Sequence, residues 1–163
     1  MWPAAPMRRK DRALPAADAL ALLQRGEYGV LASADVAGLP LATPLNYVLM
    51  DDALYFHCAP LGHKLSNIGA RSDVSFCVVG ATRPVYDGDF TTYYESAVVH
   101  GAATLVADDD EKRRALLALC QKYLPDDMDK APASLAKSFG RTAVVRIAIS
   151  RLTGKAKRPP AGQ

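Results

Sequence analysis

The alternation of apolar and polar residues along the chain predicts a β-rich protein. Segments rich in Val, Tyr, Phe and Thr have a strand-like period of two and are separated by turn residues. Turns at residues 35–38 and 51–52 join the first three segments into a meander. Pro44 interrupts the second segment, which places this proline at a sheet edge, a bulge or a ligand-facing position. The predicted strands span residues 28–33, 39–50, 53–58, 74–79, 94–106 and 142–149.

Helical periodicity predicts four helices between these strands. The predicted helices span residues 14–25, 62–69, 108–124 and 133–139. The third is the clearest, because its leucines form one stripe and three aspartates lie at its N-terminal end, where negative charge is favourable. The acidic run from Asp108 to Glu111 is therefore interpreted as a helix cap. Residues 81–91, which include Pro84 and Gly88, are predicted to form a loop.

Six antiparallel strands with few peripheral helices predict a mainly β fold, specifically a small β-barrel. The predicted domain covers residues 13–152. A basic tail of residues 1–12 precedes it, and a basic, Pro-rich tail of residues 153–163 follows it. A six-stranded barrel is too narrow to enclose a tricyclic ligand. Such a ligand would lie outside the barrel, in a groove shared with a second subunit.

Composition narrows the function classes. The chain has 163 residues, of which 50% are hydrophobic and 23% charged, and its net charge of +3 comes largely from the two ends. We therefore expect a single domain that does not bind nucleic acid. Three cysteines without CxxC spacing disfavour disulfides and zinc, and favour the cytoplasm. No apolar run reaches about 18 residues, and residues 1–6 lack signal-peptide features, so no membrane association is expected.

The most informative motif is Gly62, His63 and Lys64, at the predicted start of the second helix. A helix start offers unpaired N–H groups and the positive end of the helix dipole. Glycine permits close approach of an anion, lysine adds a charge and histidine adds a hydrogen-bond donor, so this segment suits a phosphate. The alternative is a solvated helix start with an incidental lysine. The motifs GxxxxGK[ST] and GxGxxG are absent.

Two further segments are candidate ligand contacts. The proline-interrupted strand leaves backbone groups for a heterocycle edge, although the motif taken alone favours a simple strand bulge. His57, beside Cys58, is either a structural strand histidine or a donor and proton source near a reaction centre, and His100 has the same alternatives. The three histidines lack metal-ligand spacing, so no metal site is predicted. The residues of the interrupted strand are Thr43, Pro44, Leu45, Asn46 and Tyr47.

These motifs, in this order and spacing, resemble the nitroimidazole reductases of the pyridoxamine 5′-phosphate oxidase-like superfamily. The similar segments are 7–12 (MRRKDR), 38–47 (GLPLATPLNY), 54–58 (LYFHC), 62–68 (GHKLSNI), 96–101 (SAVVHG) and 152–157 (LTGKAK). The resemblance covers residues 7–158, nearly the whole chain. It implies an FMN-binding split barrel that works as a homodimer, with FMN at the subunit interface.

The resemblance also implies roles for individual residues. Residues 43–47 would line the isoalloxazine edge, largely through their backbone. His57 and Cys58 would lie beside the ribityl chain or the ring, and His63 and Lys64 would hold the phosphate. Ser96 and Lys155 fall where the oxidase has a glutamine and a C-terminal tryptophan near the flavin. The chain departs from the oxidase at His63, where the oxidase has an arginine.

The implied function is that of an FMN-dependent oxidoreductase acting on a small molecule, by nitroaromatic reduction or amine oxidation. The flavin would carry the electrons or hydride. His57 is the only candidate for a catalytic side chain. The arginine- and histidine-rich C-terminal motif of the oxidase is not evident here, so oxidation of pyridoxamine phosphate itself is not expected. The alternatives are a non-catalytic flavin-binding sensor, a protein that binds a deazaflavin, and a haem-binding split barrel with His57 or His100 on the iron.

Overall fold

The computed structural model describes residues 7–86 and 88–159, and within them all eight strands form one antiparallel sheet. The strand order is β3-β2-β6-β7-β8-β5-β4, and β1 pairs with β8. The strands are β1 (Ala13–Leu14), β2 (Gly29–Ala34), β3 (Pro40–Leu45), β4 (Val48–Met50), β5 (Ala53–Cys58), β6 (Asp73–Tyr86), β7 (Phe90–Leu105) and β8 (Ala143–Lys157).

In the part of the chain that the structure describes, four α-helices lie between the strands. They are α1 (Ala16–Arg25), α2 (His63–Ala70), α3 (Asp109–Tyr123) and α4 (Ala131–Ser138). As predicted, α3 begins after an aspartate cap, because the side chain of Asp108 accepts a hydrogen bond from the Glu111 N–H at 2.7 Å. Asp51 and Asp52 both have positive φ, which is the geometry of the two-residue turn between β4 and β5.

The sheet curls because its two edge strands are consecutive in the chain. Only Asn46 and Tyr47 separate β3, at one edge, from β4, at the other edge. This short connection draws the two edges toward each other into a split barrel. The predicted mainly β, antiparallel split-barrel class with peripheral helices is therefore confirmed.

The main core fills the inside of the curled sheet. Phe76 on β6 and Val99 on β7 are fully buried there, together with Leu22 and Leu23 of α1 and Ile68 of α2. The approach of α1 is close enough that a Cβ on Gly26 would lie 2.4 Å from the Val78 Cγ1 atom. Glycine is therefore required where the first helix ends.

A second core lies on the outside of the sheet, under α3 and α4. Ala53 and Tyr55 of β5 and Val144 of β8 pack there against Leu116, Leu119 and Leu135 of the two helices. Successive residues of a strand point to opposite faces, so β5 contributes to both cores. This explains why its first four residues are all buried.

Several sequence predictions of element boundaries were wrong. Residues 81–91 do not form a loop, because β6 and β7 continue as a paired hairpin to Tyr86 and Phe90. Pro84 is tolerated because β2 does not reach this part of β6. The last strand continues to Lys157, so residues 153–157 are sheet and not tail. The count is eight strands instead of six because the interrupted segment splits into β3 and β4, and β1 is added.

Candidate functional site

The N-terminal end of α2 carries the predicted phosphate motif. Gly62 precedes the helix with φ of 137°, a conformation that favours glycine, and open space surrounds the position that its Cβ would take. Its carbonyl accepts the N–H groups of Leu65 at 3.0 Å and Ser66 at 3.1 Å, which starts the helix. Within residues 7–86 and 88–159, no side chain caps this end. The first turn is therefore open to an anion.

Lys64 brings positive charge to the end of β5. Its Nζ atom lies 5.8 Å from the centroid of the Phe56 ring, while His63 is exposed. Burial, and secondarily the charge of Lys64, lowers the pKa of His57. Burial also raises the pKa of Cys58, and Lys64 opposes that increase. Lys64 is thus near enough to influence the pKa of both His57 and Cys58.

His57 and Asn46 line a cavity of about 380 Å³ between the sheet and α3 and α4. Both residues come from strand ends, His57 from β5 and Asn46 from the connection between β3 and β4. Neutral His57 offers one donor and one acceptor, because its pKa is lowered below the ordinary value of 6.5. Two residues that the sequence pointed to separately therefore line the same cavity.

The remaining residues of the interrupted strand have different surroundings. Pro44 pairs with Val30 of β2 and is exposed, whereas Thr43 and Leu45 are partly buried. Tyr47 is fully buried, and its hydroxyl donates to the Leu23 carbonyl at 2.6 Å. Its ring packs against Phe76 of β6, with the ring centroids 4.9 Å apart.

The backbone of Tyr47 is already hydrogen-bonded by α3. Its N–H donates to the Tyr123 hydroxyl at 2.9 Å, and its carbonyl lies 2.9 Å from that hydroxyl and accepts from Lys122 Nζ at 3.0 Å. Lys122 also lies 3.8 Å from the Tyr47 ring centroid. Burial lowers the pKa of Lys122 to about 8. Tyr47 is thus held as a core residue with both backbone groups in use.

Ser96 and Lys155 are direct partners on β7 and β8. Cys58 pairs with Ala143 at one end of β8, whereas Lys155 lies near the other end. Within one chain, the structure therefore does not bring Ser96 and Lys155 to the group around Lys64. His100 also lies on β7, opposite Arg151, and burial lowers its pKa.

Ser96 and Lys155 belong to an outer surface that we call the bare sheet face. Its central row runs across five strands, each residue pairing with the next. All five are exposed or partly buried, in contrast to the fully buried row containing Leu31, Phe76 and Val99. Val79, at 55% exposure, extends the apolar part. The row consists of Pro44, Val30, Cys77, Val98 and Thr153.

Membrane-spanning helices and clusters of metal ligands are absent from the described residues. Among helices in residues 7–86 and 88–159, none combines the length and apolar character needed to cross a membrane. Across the same ranges, no three His, Cys, Asp or Glu side chains are placed to hold a metal ion together.

Comparison with known structures supports the fold. The chain is 21% identical to a protein from Bacteroides thetaiotaomicron inferred to be a 5-nitroimidazole antibiotic resistance protein, with a TM-score of 0.74 over 88% of this chain and 86% of that one. The flavocytochrome Anf3 from Azotobacter vinelandii is 19% identical, with a TM-score of 0.81 over 95% and 73% of the two chains. An FAD- and haem-binding protein from Mycobacterium smegmatis is 22% identical, with a TM-score of 0.79 over 91% and 74%.

Sequence comparisons give the family. Comparison with curated protein sequences gave no match. The family model described as pyridoxamine 5′-phosphate oxidase matches residues 15–156, which include every element from α1 to nearly the end of β8. The chain therefore belongs to the pyridoxamine 5′-phosphate oxidase family.

Proposed function

We propose that this protein binds FMN as a homodimer and acts as an oxidoreductase on a small molecule. The observation that carries the proposal is the open N-terminal turn of α2, with Lys64 beside it and His57 and Cys58 next to that lysine. Names of similar structures add support, since they include FAD-binding proteins and a flavocytochrome. The family itself is named for oxidation of a phosphorylated substrate.

The residues present fit a phosphate-bearing flavin. The N–H groups of the first turn of α2 would hold the phosphate with the Lys64 ammonium, and His63 is exposed beside them. Asn46 and His57 offer polar groups close to a largely apolar cavity. Bound flavin would supply reversible electron or hydride transfer. His57, neutral at pH 7, would then donate or accept one hydrogen bond at the reactants.

The bare sheet face supports the homodimer. A row of small and apolar side chains crosses five strands without being buried, and such a patch is typical of a subunit interface. Ser96 and Lys155 lie on this face, away from Lys64 of the same chain. In a homodimer these two residues would contribute to the flavin site from the interface.

Replacing Lys64 tests the phosphate role. We expect Lys64→Ala to weaken FMN binding about tenfold to a hundredfold, because it removes a charge-assisted contact that contributes about 1.5–3 kcal/mol. The measurement is titration of FMN fluorescence quenching. The matched control is Arg71→Ala, which removes the same charge beside the other end of α2, and it should leave FMN affinity unchanged. Equal affinity in the Lys64→Ala variant and the wild type would contradict the proposed site.

Two further measurements separate the alternatives. A visible spectrum of the purified protein distinguishes flavin from haem, and chromatography of the released cofactor distinguishes FMN, FAD and a deazaflavin. Stopped-flow reduction by NADH or NADPH, followed by a nitroaromatic acceptor, tests turnover. Reoxidation of the flavin by the acceptor supports an oxidoreductase. A bound flavin that neither reductant reduces favours a non-catalytic flavin-binding sensor.

A further inference from the structure

A second cavity lies where the end of β8 meets the part of the β6–β7 hairpin that extends beyond β2. Its volume of about 400 Å³ falls within the range of about 300–1,000 Å³ that is usual for small-molecule sites. Its lining includes Arg83 of β6, Tyr93 of β7 and Lys157 of β8. Among the described residues, it shares no lining residue with the cavity that contains His57 and Asn46. The hairpin cavity is therefore a separate place on the molecule.

Two cations of the hairpin cavity lie around a single tyrosine ring. The guanidinium carbon of Arg83 is 5.5 Å from the centroid of the Tyr93 ring, and the Nζ atom of Lys157 is 5.7 Å from the same centroid. Lys157 also donates a hydrogen bond to the Thr91 hydroxyl, and Tyr93 is only 7% exposed. Like charges held around one uncharged ring repel each other, so an anion bound between them is favourable.

The carboxylate in the lining is already paired. Glu95 accepts a hydrogen bond from Arg25 at 2.7 Å, and Arg158, another lining residue, is paired with an aspartate of α1 at 3.0 Å. Within residues 7–86 and 88–159, no ion pair includes Arg83 or Lys157. Both cations therefore keep a positive charge that no described carboxylate neutralises.

Positive charge continues along one side of the cavity, at Tyr94. Burial alone would raise the pKa of the Tyr94 hydroxyl, but hydrogen bonds and charge from Arg12 and Lys155 lower it overall. Tyr94 itself lines the cavity. The surroundings thus favour a negative charge beyond the space between Arg83 and Lys157.

We propose that the hairpin cavity binds an organic phosphate, with its phosphate group between the Arg83 guanidinium and the Lys157 ammonium. A guanidinium presents paired N–H groups that match two phosphate oxygens, and an ammonium adds a compact charge. The cavity is larger than a phosphate ion, so the organic part of the ligand also has room. The inference goes beyond the proposed function, because neither cation belongs to the proposed flavin site and the flavin phosphate is assigned to α2.

Isothermal titration calorimetry with AMP as the probe tests the proposal. The full-length protein is loaded with one equivalent of FMN per chain, freed of excess FMN, and titrated in a phosphate-free buffer. We expect saturable binding of AMP with a dissociation constant below about 1 mM. Adenosine has the same base and sugar without the phosphate, and it should bind at least about a hundredfold more weakly, because it lacks two charge-assisted contacts. No binding of AMP, or equal binding of adenosine, would overturn the proposal.

Inorganic phosphate distinguishes the two sources of a phosphate group. It should displace AMP, but only at about tenfold higher concentration, because it leaves the rest of the cavity empty. Equal or tighter binding of inorganic phosphate would overturn the assignment to an organic phosphate.

Charge-neutral variants locate the phosphate. Arg83→Gln should weaken AMP binding about tenfold to a hundredfold, and it should fold normally because Arg83 is exposed. Arg141→Gln removes the same charge at another exposed position, outside the hairpin cavity, and should leave AMP affinity unchanged. Lys157→Met should weaken AMP binding by a similar factor to Arg83→Gln. Wild-type affinity in both cavity variants, or equal losses in Arg83→Gln and Arg141→Gln, would overturn the site.

Cross-measurements keep this site distinct from the flavin site. Lys64→Ala should leave AMP affinity unchanged, and Arg83→Gln should leave FMN affinity unchanged. Loss of AMP binding in Lys64→Ala would place the phosphate at α2 and overturn the hairpin site. If the protein takes up no FMN, the same AMP titration is made without it, so failure of the flavin proposal remains a separate result.

Discussion

Two regions of the outer face of the sheet differ in whether helices cover them. Around β5 and the start of β8, α3 and α4 cover the outer face, and Tyr55 is only 2% exposed. Across β2, β6 and β7, the outer face has the same strand chemistry but remains exposed or partly buried, with Val79 at 55% exposure. Apolar side chains in the first region stabilise the single chain. Those in the second region become buried only when another molecule covers them, and in the proposed homodimer that molecule is a second copy of the chain.

The largest expected effect is at the covered region. Leu119→Ala should lower the free energy of unfolding by about 3 kcal/mol, because it removes buried apolar atoms and enlarges an existing cavity. Val98→Ala on the bare sheet face should cost the isolated chain less than about 1 kcal/mol. Urea denaturation at low protein concentration measures both values. Equal losses would mean that the two regions do not differ as described.

The bare sheet face is tested by adding charge. Val98→Lys should weaken dimerisation at least about a hundredfold, which corresponds to about 2.7 kcal/mol, because a lysine at the centre of an interface is buried without a partner. Sedimentation equilibrium measures the dissociation constant. Val36→Lys, in an exposed turn, is the control and should leave the constant unchanged. A wild-type protein that sediments as a monomer would contradict the proposed interface.

The next largest effect is expected from the Tyr123 hydroxyl, which links α3 to the connection between β3 and β4. Tyr123→Phe should destabilise the protein by about 1.5 kcal/mol, because the Tyr47 N–H loses its acceptor inside the structure. Tyr28→Phe is a matched control at a residue 56% exposed, and a change near zero is expected there. Thermal or urea unfolding measures both variants. Similar stability of the two variants would show that water replaces the lost hydroxyl.

The smallest effect concerns the pH dependence of stability in the covered region. Lys122 has its pKa lowered from 10.5 to about 8 by burial, so between these pH values the unfolded chain binds more protons than the folded chain. The free energy of unfolding should therefore rise with pH between 8 and 10. One proton gives a slope of at most about 1.4 kcal/mol per pH unit, and solvent screening reduces it.

Two lysine variants isolate this contribution. Lys122→Met should remove the rising slope, whereas Lys137→Met, at an exposed position on α4, should retain it. Urea denaturation at pH 8, 9 and 10 provides the measurement. An unchanged slope in the Lys122→Met variant would contradict the assignment to this lysine.

Local signals predicted much of the fold. The bounds of β5 and the aspartate cap of α3 were predicted as observed, since neighbouring residues dictate strand alternation and helix capping. The hairpin formed by β6 and β7 was missed, because Pro84 and Gly88 indicate a loop when read locally. Its pairing comes instead from the continued register of two long strands. Lys122 was missed because nothing in its sequence neighbourhood shows that it will lie against Tyr47.

The amino-acid sequence by itself determined the class of fold and the placement of Lys64 directly after Gly62 at a helix start, because these depend on residues close together in the chain. Only the tertiary structure decided which residues meet across strands. It placed His57 and Asn46 in the lining of one cavity. It also placed Lys155 near the end of β8 opposite to the one that pairs with Cys58, and therefore away from Lys64. The physical reason is that strand register and sheet curvature arise from pairings between distant segments, and these pairings decide which side chains share a face.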